Sequence, residues 1–172
     1  MNEVLENILT RRSIRSFQEK PIERQDLETI VKAGMYAPSG MNRQSWQFTA
    51  IRNPELIEEL AQAIREQIGK GPEYNFYNAK ALVLVSNDRE NTNGLADSAC
   101  ALENMFLMAH ALGIGSVWIN QMKTICDAAG VRQVMQKLEI PDSHIVWGIA
   151  ALGYGTETPA QPEKKAAVKY FD

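Results

Sequence analysis

The distribution of apolar residues predicts an α/β layered protein, because segments with helical periodicity alternate along the chain with short apolar segments typical of strands. Two segments carry this prediction most clearly. Residues 81–85 form a continuous apolar run, as expected for a strand that is buried on both faces. Residues 95–112 have helical periodicity but are apolar nearly all round, which is typical of a helix surrounded by other elements. We therefore expect this helix and this strand to lie at the centre of the fold.

The first half of the chain is predicted to contain three helices and one strand. Asn2 can cap a first helix, and Asn53 followed by Pro54 marks the start of the third. Apolar spacing places the second helix at residues 23–35, and a Pro-Ser-Gly sequence interrupts the pattern after it. In chain order we expect a short helix with an apolar face on Val4, Leu5, Ile8 and Leu9, a basic loop at 11–21, the second helix, a strand at 46–51 and the third helix from residue 54.

The second half is predicted to contain the central helix, three strands and one further helix. Gly113 can end the central helix, because glycine readily adopts the left-handed conformation found at helix C-termini. In chain order we expect a loop rich in glycine, asparagine and aromatic residues at 69–80, a strand at 81–85, the central helix at 95–112, a strand at 116–119, an amphipathic helix at 125–138, a strand at 145–152 and a polar tail at 156–172.

Composition favours a single domain of residues 1–172 and excludes several classes of partner. The chain has 172 residues and a formal net charge of −3, with 18 basic and 21 acidic side chains. This balance gives no bulk electrostatic attraction to nucleic acid or to an anionic membrane. Two cysteines and two histidines offer neither a disulfide framework nor an obvious metal site. The N-terminus lacks the features of a secretion signal, and no apolar run reaches ~18 residues, so we expect a cytoplasmic protein.

Two glycine pairs are candidates for a dinucleotide-binding turn, and the pattern around each argues against one. Such a turn needs a strand, then G-x-G-x-x-G, then a helix whose N-terminus meets the pyrophosphate. The pair Gly113 and Gly115 follows a helix and precedes a strand, with Trp118 in place of the third glycine. The pair Gly153 and Gly155 follows a strand, but the residues after it cannot open a helix. We interpret both pairs as turn glycines.

Several single residues with reactive side chains have simpler structural interpretations. His110, inside the central helix, is interpreted as a core or interface histidine with one hydrogen-bonded ring nitrogen. Cys100 and Cys126 are interpreted as buried thiols without a chemical role. Glu58 and Glu59 are adjacent, so their side chains diverge on a helix. We assign the two carboxylates to a solvated face rather than to paired acid–base catalysis.

Two polar clusters each have a ligand-binding and a structural interpretation. Residues 11–15, with sequence Arg-Arg-Ser-Ile-Arg, offer guanidinium groups and a hydroxyl that can bind a dianionic phosphate. The same cations can instead complement the dipole of the preceding helix and remain solvated. Residues 37–48 carry many amide and hydroxyl groups between a helix and a strand, so they can bind a polar ligand or form an ordinary capped turn. Neither cluster decides between these interpretations by itself.

Taken together and in order, four segments make the chain resemble the nitroreductase family of FMN-dependent oxidoreductases. The segments are residues 11–17 (RRSIRSF), 38–48 (PSGMNRQSWQF), 104–119 (NMFLMAHALGIGSVWI) and 152–155 (LGYG). The resemblance covers nearly the whole chain. It implies an α+β fold, a mostly antiparallel sheet flanked by helices, in place of the α/β class that the pattern alone predicts. It also implies a homodimer with FMN bound at the interface between subunits.

The resemblance places the family's FMN-contacting residues onto positions of this sequence. It implies that the phosphate, ribityl and pyrimidine groups are contacted by Arg11, Arg12, Ser13 and Arg15. It implies that the flavin of the other subunit is contacted by Pro38, Ser39, Gly40 and Asn42. It implies that the flavin N5 and O4 edge is contacted by the backbone N–H groups of Asn120 and Gln121. It implies that the phosphate is also contacted by Lys164 and Lys165, at positions where arginine is commoner in the family. The pyrimidine edge would also contact Asn75 or Asn78, and the alignment leaves that choice open.

The activity that the resemblance implies is that of a flavoprotein oxidoreductase. Hydride from NADH or NADPH would pass through flavin N5 to an oxidised small-molecule acceptor, such as a nitroaromatic or a quinone, in a ping-pong cycle. No side chain is named as catalytic, because the cofactor carries the hydride chemistry. Arg15 is expected to stabilise the negative charge of the reduced flavin near N1 and O2.

Alternatives to this activity stay open. One is a flavin enzyme of the same fold with other chemistry, such as dehalogenation or flavin fragmentation. Another is a non-enzymatic dimer that binds a phosphate-bearing ligand through residues 11–15. The apolar residues 168–171 would pair with the partner's sheet, as C-terminal segments do in this family, or form a frayed end.

Overall fold

The computed structural model describes residues 2–172, which form five helices and four strands. The helices are α1 (Glu3–Thr10), α2 (Arg24–Met35), α3 (Pro54–Ile68), α4 (Gly94–Ala111) and α5 (Ala129–Lys137). The strands are β1 (Trp46–Ile51), β2 (Ala81–Asp88), β3 (Gly115–Ile119) and β4 (His144–Gly153). Short 3-10 helices lie at Gly40–Asn42, Phe76–Asn78 and Gln121–Thr124.

The four strands form one antiparallel sheet in the order β1-β2-β4-β3. This sheet, flanked by helices, confirms the α+β class. The α/β class expected from the alternating pattern is wrong, because apolar periodicity reports which faces of a strand are buried and not the direction of its neighbours. β1 and β3 are the edges of the sheet, so each leaves one row of backbone groups unpaired within it.

The helices cover both faces of the sheet and divide the core into two layers. Leu82 and Leu84 of β2 pack with α3 and α5, whereas Val83 and Val85 pack on the opposite face with α2 and α4. Successive side chains of a strand point to opposite faces, so a strand covered on both sides must be apolar at every position. This burial explains the continuous apolar run and confirms the predicted central strand.

Local sequence signals fix several helix ends as expected. The Asn2 side chain accepts hydrogen bonds from the backbone N–H groups of Val4 and Leu5, which caps α1. Asn53 caps α3 in the same way, and Pro54 occupies its first turn. The break after α2 and the central position of α4 also agree with the sequence pattern.

The last helix begins at Ala129, four residues later than the predicted start at residue 125. The preceding turn is held on β4 by Cys126, whose thiol donates to the Met122 carbonyl at 3.0 Å and accepts the Val146 N–H at 3.3 Å. These bonds hold the backbone in a compact turn, so the apolar spacing there reflects burial rather than a helix.

One side of the molecule exposes apolar residues that a single chain does not cover. The apolar face of α1, formed by Val4, Leu5, Ile8 and Leu9, is between 43% and 67% exposed.

Cys100 on α4 is exposed, which corrects the expectation of a buried thiol, whereas Cys126 is buried. The tail at 156–172 is exposed and lacks regular secondary structure. Among residues 2–172, none of the helices is both long and apolar enough to cross a membrane.

Candidate functional site

The basic segment at residues 11–17 is attached to the sheet by its backbone and by two buried side chains. The Ile14 N–H donates to the Ser116 carbonyl at 2.9 Å, at the start of β3. The side chains of Ile14 and Phe17 are buried in the core. The polar side chains of the segment remain accessible, since Arg11, Arg12, Ser13 and Ser16 are half-buried and Arg15 is exposed.

Glycines allow the segment to lie this close to the strands. A Cβ atom on Gly115 would lie 2.8 Å from Cγ1 of Ile14, and one on Gly153 would lie 2.7 Å from Cδ1 of Phe17. Both distances are too short for any side chain at the glycine. Gly115 and Gly153, interpreted from the sequence as turn residues, therefore have a further role, since the basic segment packs against them.

The outward side chains line a cavity of about 280 Å³. One wall is formed by Arg11, Arg12, Ser13 and Arg15, and the other by the tail residues Pro159, Ala160, Pro162 and Lys164. Hydrogen bonds orient Arg12, whose Nη1 donates to the carbonyls of Leu9 at 2.8 Å and of Arg11 at 2.6 Å. Arg11 forms an ion pair with Glu103 of α4 at 3.6 Å. Four cations and a hydroxyl around a small cavity are the donor set of a phosphate ester site.

The polar loop after α2 contacts the N-terminal turn of α4. The Gly40 N–H donates to Oδ1 of Asp97 at 2.8 Å, in the first turn of that helix. Met41, Asn42 and Gln44 all have left-handed backbones, with φ of 54°, 53° and 50°. None of the loop residues lines the arginine cavity of the same chain. The two polar clusters therefore do not meet within one subunit.

Two comparisons with known proteins bear on these clusters. The sequence profile of the nitroreductase family matches residues 8–154, which is most of the chain. The chain belongs to the nitroreductase family. It is 34% identical, over 159 residues, to a candidate NADH dehydrogenase/NAD(P)H nitroreductase of Archaeoglobus fulgidus, covering 90% of this chain and 86% of that one.

Solved structures of nitroreductases extend the likeness over the full length. A nitroreductase with bound FMN from Bacteroides fragilis is 40% identical, with a TM-score of 0.90 and 100% of both chains covered. A nitroreductase with bound FMN from Desulfitobacterium hafniense is 25% identical, with a TM-score of 0.87 and the same coverage.

The two candidate lysines of the tail differ in their position relative to the arginine cavity. Lys164 lines the arginine cavity, as the sequence analysis expected. Lys165 does not line it; its side chain is 80% exposed and lies 3.6 Å from Glu163. The structure therefore brings one of the two candidate lysines to the basic segment.

The residues expected to contact the N5 and O4 edge of the flavin lie beyond β3. Asn120 is exposed, and Gln121 lines a cavity of about 110 Å³ together with Asn75 and Tyr77. The Asn75 side chain donates to Oδ1 of Asn78 at 2.9 Å, and Asn78 does not line this cavity. Of the two asparagines between which the sequence left the choice open, Asn75 is the one that shares a cavity with Gln121.

Unpartnered polar atoms mark the same small cavity. Oε1 of Gln121 and the hydroxyl of Tyr74 are buried without a hydrogen-bond partner among residues 2–172. Burial raises the pKa of Tyr74, so the phenol is neutral near neutral pH. A polar ligand edge in this cavity would satisfy both groups.

His110 lies behind the basic segment rather than in the arginine cavity. Its Nε2 is 2.9 Å from Oγ1 of Thr10, whose hydroxyl donates to the Glu6 carbonyl at 2.7 Å, so the imidazole is the donor in the first bond. Burial, followed by the charges of Arg11 and Arg12, lowers the pKa of His110. This arrangement agrees with a structural histidine that has one hydrogen-bonded ring nitrogen.

Sequence reasoning missed Asp97 as a residue of the site. The signal was present, since Asp97 and Ser98 interrupt an otherwise apolar helix. Both are buried, and an ionisable residue on a buried helix face requires partners. The partner, the backbone of Gly40, lies 57 residues earlier and could not be identified from spacing.

A cavity of about 780 Å³ lies away from the basic segment, between α2 and β1. Its wall is mostly apolar, with Leu27, Val31, Met35, Tyr36 and Ala50, and its rim carries Arg24, Glu28, Lys32 and Arg52. It contains none of the predicted cofactor residues. This cavity is therefore separate from the two polar clusters that the sequence singles out.

Proposed function

We propose that this member of the nitroreductase family is an FMN-dependent NAD(P)H oxidoreductase. The observation that carries the proposal is the cavity in which Arg11, Arg12, Ser13, Arg15 and Lys164 converge. The FMN-bound nitroreductase of Bacteroides fragilis, similar over the whole chain, supports the choice of ligand. An FMN reductase (NADPH) of Bacillus subtilis, 27% identical over 158 residues, supports the choice of reductant.

The basic segment holds the phosphate group of FMN. The guanidinium groups donate charge-assisted hydrogen bonds, and Lys164 closes the cavity from the tail side. Arg12 is already oriented by the Leu9 and Arg11 carbonyls, so little side-chain freedom is lost on binding. Arg15, at the exposed end of the cavity wall, stabilises negative charge that develops on the flavin.

Bound FMN would supply hydride acceptance from NADH or NADPH at N5 and two-electron donation to a small oxidised acceptor, for which nitroaromatics and quinones are the classes proposed. Backbone N–H groups of Asn120 and Gln121 orient the N5 and O4 edge, and Asn75 donates to the pyrimidine edge. No side chain of this chain has to transfer a proton in the cycle. Donor and acceptor use one pocket in turn, which makes the kinetics ping-pong.

The site is completed by a second copy of the chain. Gly40 contacts α4 at Asp97, whereas Arg11 contacts α4 at Glu103. Six residues of helix separate these contacts by about 9 Å along the axis and about 120° around it. The two contacts thus lie on different faces of α4, and no loop residue lines the arginine cavity of its own subunit, which supports a loop at 38–42 that reaches the flavin of the partner. The exposed apolar face of α1 supplies surface for that interface.

The tail extends the same dimer. We assign residues 168–171 to the groove between α2 and β1 of the partner, beside the open edge of β1. Tyr170 and Phe171 are 85% and 91% exposed in the single chain, and the groove is apolar. The basic rim of the groove complements the carboxylate of Asp172.

Replacing Val168, Tyr170 and Phe171 with serine tests the tail. The triple variant should dissociate at a higher protein concentration than the wild type in analytical ultracentrifugation. Tyr36→Ser, inside the groove, should weaken the dimer in the same direction. A dimer as tight as the wild type in both variants would contradict the assignment of the tail.

An anaerobic spectral titration tests the proposed function. The purified protein is incubated with excess FMN and desalted, and it should retain the yellow flavin absorption. Addition of NADH or NADPH should bleach that absorption, and a quinone should restore it. Steady-state rates against both substrates should give parallel double-reciprocal lines. A protein that stays colourless after desalting would contradict FMN dependence and would favour a non-enzymatic phosphate-binding dimer.

A further inference from the structure

A buried carboxylate is attached to the loop that reaches the partner's flavin. Asp97 is only 4% exposed, and both of its oxygens accept hydrogen bonds. Oδ1 accepts the Gly40 N–H at 2.8 Å, and Oδ2 accepts Nδ2 of Asn91 at 3.0 Å. Its place in the first turn of α4 puts the carboxylate at the positive end of the helix dipole. The carboxylate is therefore hydrogen-bonded by two amide donors, one of which belongs to the loop.

The same network reaches the far end of the loop. Nδ2 of Asn91 also lies 3.1 Å from Oγ of Ser45, whose hydroxyl donates to Oδ1 of Asn87 at 2.8 Å. Asn87 and Asn91 are buried. Gly40 and Ser45 are thus attached at the two ends of one segment to one buried set of side chains.

The loop between these attachments has a conformation that an L-amino acid does not favour. Met41, Asn42 and Gln44 each have φ of 50° to 54°. Such left-handed residues persist when the surrounding structure fixes them. A Cβ atom on Gly40 would lie 2.4 Å from Nδ2 of Asn93, so a larger residue there would require the Asn93 side chain to move. The bonds to Asp97 and Asn91 therefore hold a strained backbone in place.

We propose that Asp97 is a positioning residue whose carboxylate fixes residues 39–44 in the conformation that contacts the partner's flavin. The proposal rests on the proposed function for the identity of the ligand, but the Gly40 hydrogen bond itself is a property of the free protein. Asp97 contacts neither cofactor nor substrate; it acts through the backbone of Gly40.

The donor–acceptor order of the network provides a sharp test. In Asp97→Asn the new amide can still accept the Gly40 N–H, but its NH2 group then faces the NH2 group of Asn91, and two donors cannot bond. The reciprocal variant Asn91→Asp/Asp97→Asn restores one donor and one acceptor between these positions. The exchange restores the wild-type net charge together with the donor–acceptor order, whereas the control Asp26→Asn removes a charge without touching the network, so the two variants together separate overall charge loss from hydrogen bonding.

The measurements are amide hydrogen exchange of Gly40 in the FMN-free protein and FMN dissociation constants from flavin fluorescence. Asp97→Asn replaces the charged acceptor of the Gly40 N–H with a neutral one and loses the bond to Asn91, so Gly40 exchange should speed up and FMN binding should weaken about tenfold. The reciprocal variant should recover most of both. The matched control is Asp26→Asn, a first-turn carboxylate of α2, which should change neither.

The outcomes separate the two proposals. Wild-type exchange and affinity in Asp97→Asn, or a reciprocal variant no better than the single one, would overturn the positioning role. If the wild type does not bind FMN, the proposed function fails, and Gly40 exchange still decides whether Asp97 holds the loop. If Asp97→Asn does not fold, Ser45→Ala decides instead: faster exchange at residues 40–44 supports the network, and unchanged exchange overturns it.

Discussion

The basic segment at 11–17 and the loop at 38–44 serve the same proposed site but are held by different forces. The segment is fixed by backbone hydrogen bonds to the strand ends and by two buried apolar side chains seated on glycines. The loop is fixed by a buried polar network and carries three left-handed residues. The segment is thus part of the hydrophobic core, whereas the conformation of the loop depends on satisfying one carboxylate.

This difference predicts how each region responds to mutation. Losing a charge from the segment should affect ligand binding and leave the fold intact, because its charged groups point outward. Replacing Gly115 or Gly153, against which the segment packs, should affect both ligand binding and the fold, because the core is close-packed. Relief of the backbone strain in the loop should raise stability and weaken ligand binding, because the strain is local and the side chains of the loop are mostly exposed.

The largest effect is expected for Arg11→Ala/Arg15→Ala. Two charge-assisted contacts contribute about 3 kcal/mol or more, so FMN binding should weaken at least about 100-fold. The midpoint of chemical unfolding should barely move. Fluorescence titration and denaturation of the same samples check both. Lys137→Ala, which removes a cation of α5 outside the cavity, is the control and should retain FMN. Equal flavin retention in the double variant would remove these arginines from the site.

The next largest is expected for Gly153→Ala, which places a methyl group against the Phe17 ring. The free energy of unfolding should fall by about 1–3 kcal/mol, as for overpacking elsewhere. FMN affinity should fall with it, because the displaced Phe17 carries the basic segment. Gly130→Ala in α5 is the matched control, since a Cβ atom there meets nothing within 4 Å. It should stabilise the helix by about 0.5–1 kcal/mol without affecting FMN.

Much of the fold could be predicted because its signals are local. Asparagine caps, a proline at a helix start and apolar periodicity depend on residues a few positions apart, and they placed α1, α3 and β2. The antiparallel strand order could not be read in this way, because it depends on pairings between distant segments such as β2 and β4. The start of α5 was misplaced because the Cys126 turn is fixed by Val146 on another strand.

The same distinction applies to the site. The basic segment was visible as a cluster because its cations are neighbours in sequence. The role of Gly115 and Gly153 as its seat was invisible, because it depends on contacts with Ile14 and Phe17 more than a hundred residues earlier. Asp97 interrupts an apolar pattern, which identifies it as unusual, but only the folded chain shows that Gly40 is its partner.

A smaller effect, of opposite sign on stability, is expected for Met41→Gly. Met41 is 75% exposed, so the variant loses little packing and relieves a left-handed backbone. The free energy of unfolding should stay the same or rise by less than about 1 kcal/mol, while FMN binding weakens severalfold because the free loop becomes more mobile.

The control for this variant is Glu139→Gly, which has a φ of 56° in the turn after α5, outside the loop at 38–44. It should change stability in the same way and leave FMN binding unaltered. Tighter FMN binding in Met41→Gly would show that the strain opposes the bound conformation and would contradict the contrast drawn between the two regions.

The smallest effect concerns His110, which lies behind the basic segment. Burial and the charges of Arg11 and Arg12 lower its pKa below the ordinary value of 6.5. The folded state therefore disfavours the imidazolium, so the contribution to stability is complete above about pH 6.5 and is lost as pH falls below it. His110→Gln keeps a donor for Thr10 and removes this titration. The stability of the variant relative to wild type should therefore rise as pH falls through that window in denaturation experiments.

Ligand binding should act on this histidine and not on the second one. The phosphate of bound FMN would offset the charges of Arg11 and Arg12, so the pKa of His110 should rise towards its ordinary value when FMN is added. His144, on β4, also has a pKa lowered mainly by burial, but its charged neighbour is Asp88 rather than an arginine of the basic segment. Its pKa should not respond. NMR titration of both imidazoles with and without FMN measures the difference directly. An unchanged pKa of His110 would mean that the phosphate does not bind at Arg11 and Arg12. Equal pKa shifts at both histidines would indicate a change of the whole fold rather than local charge neutralisation.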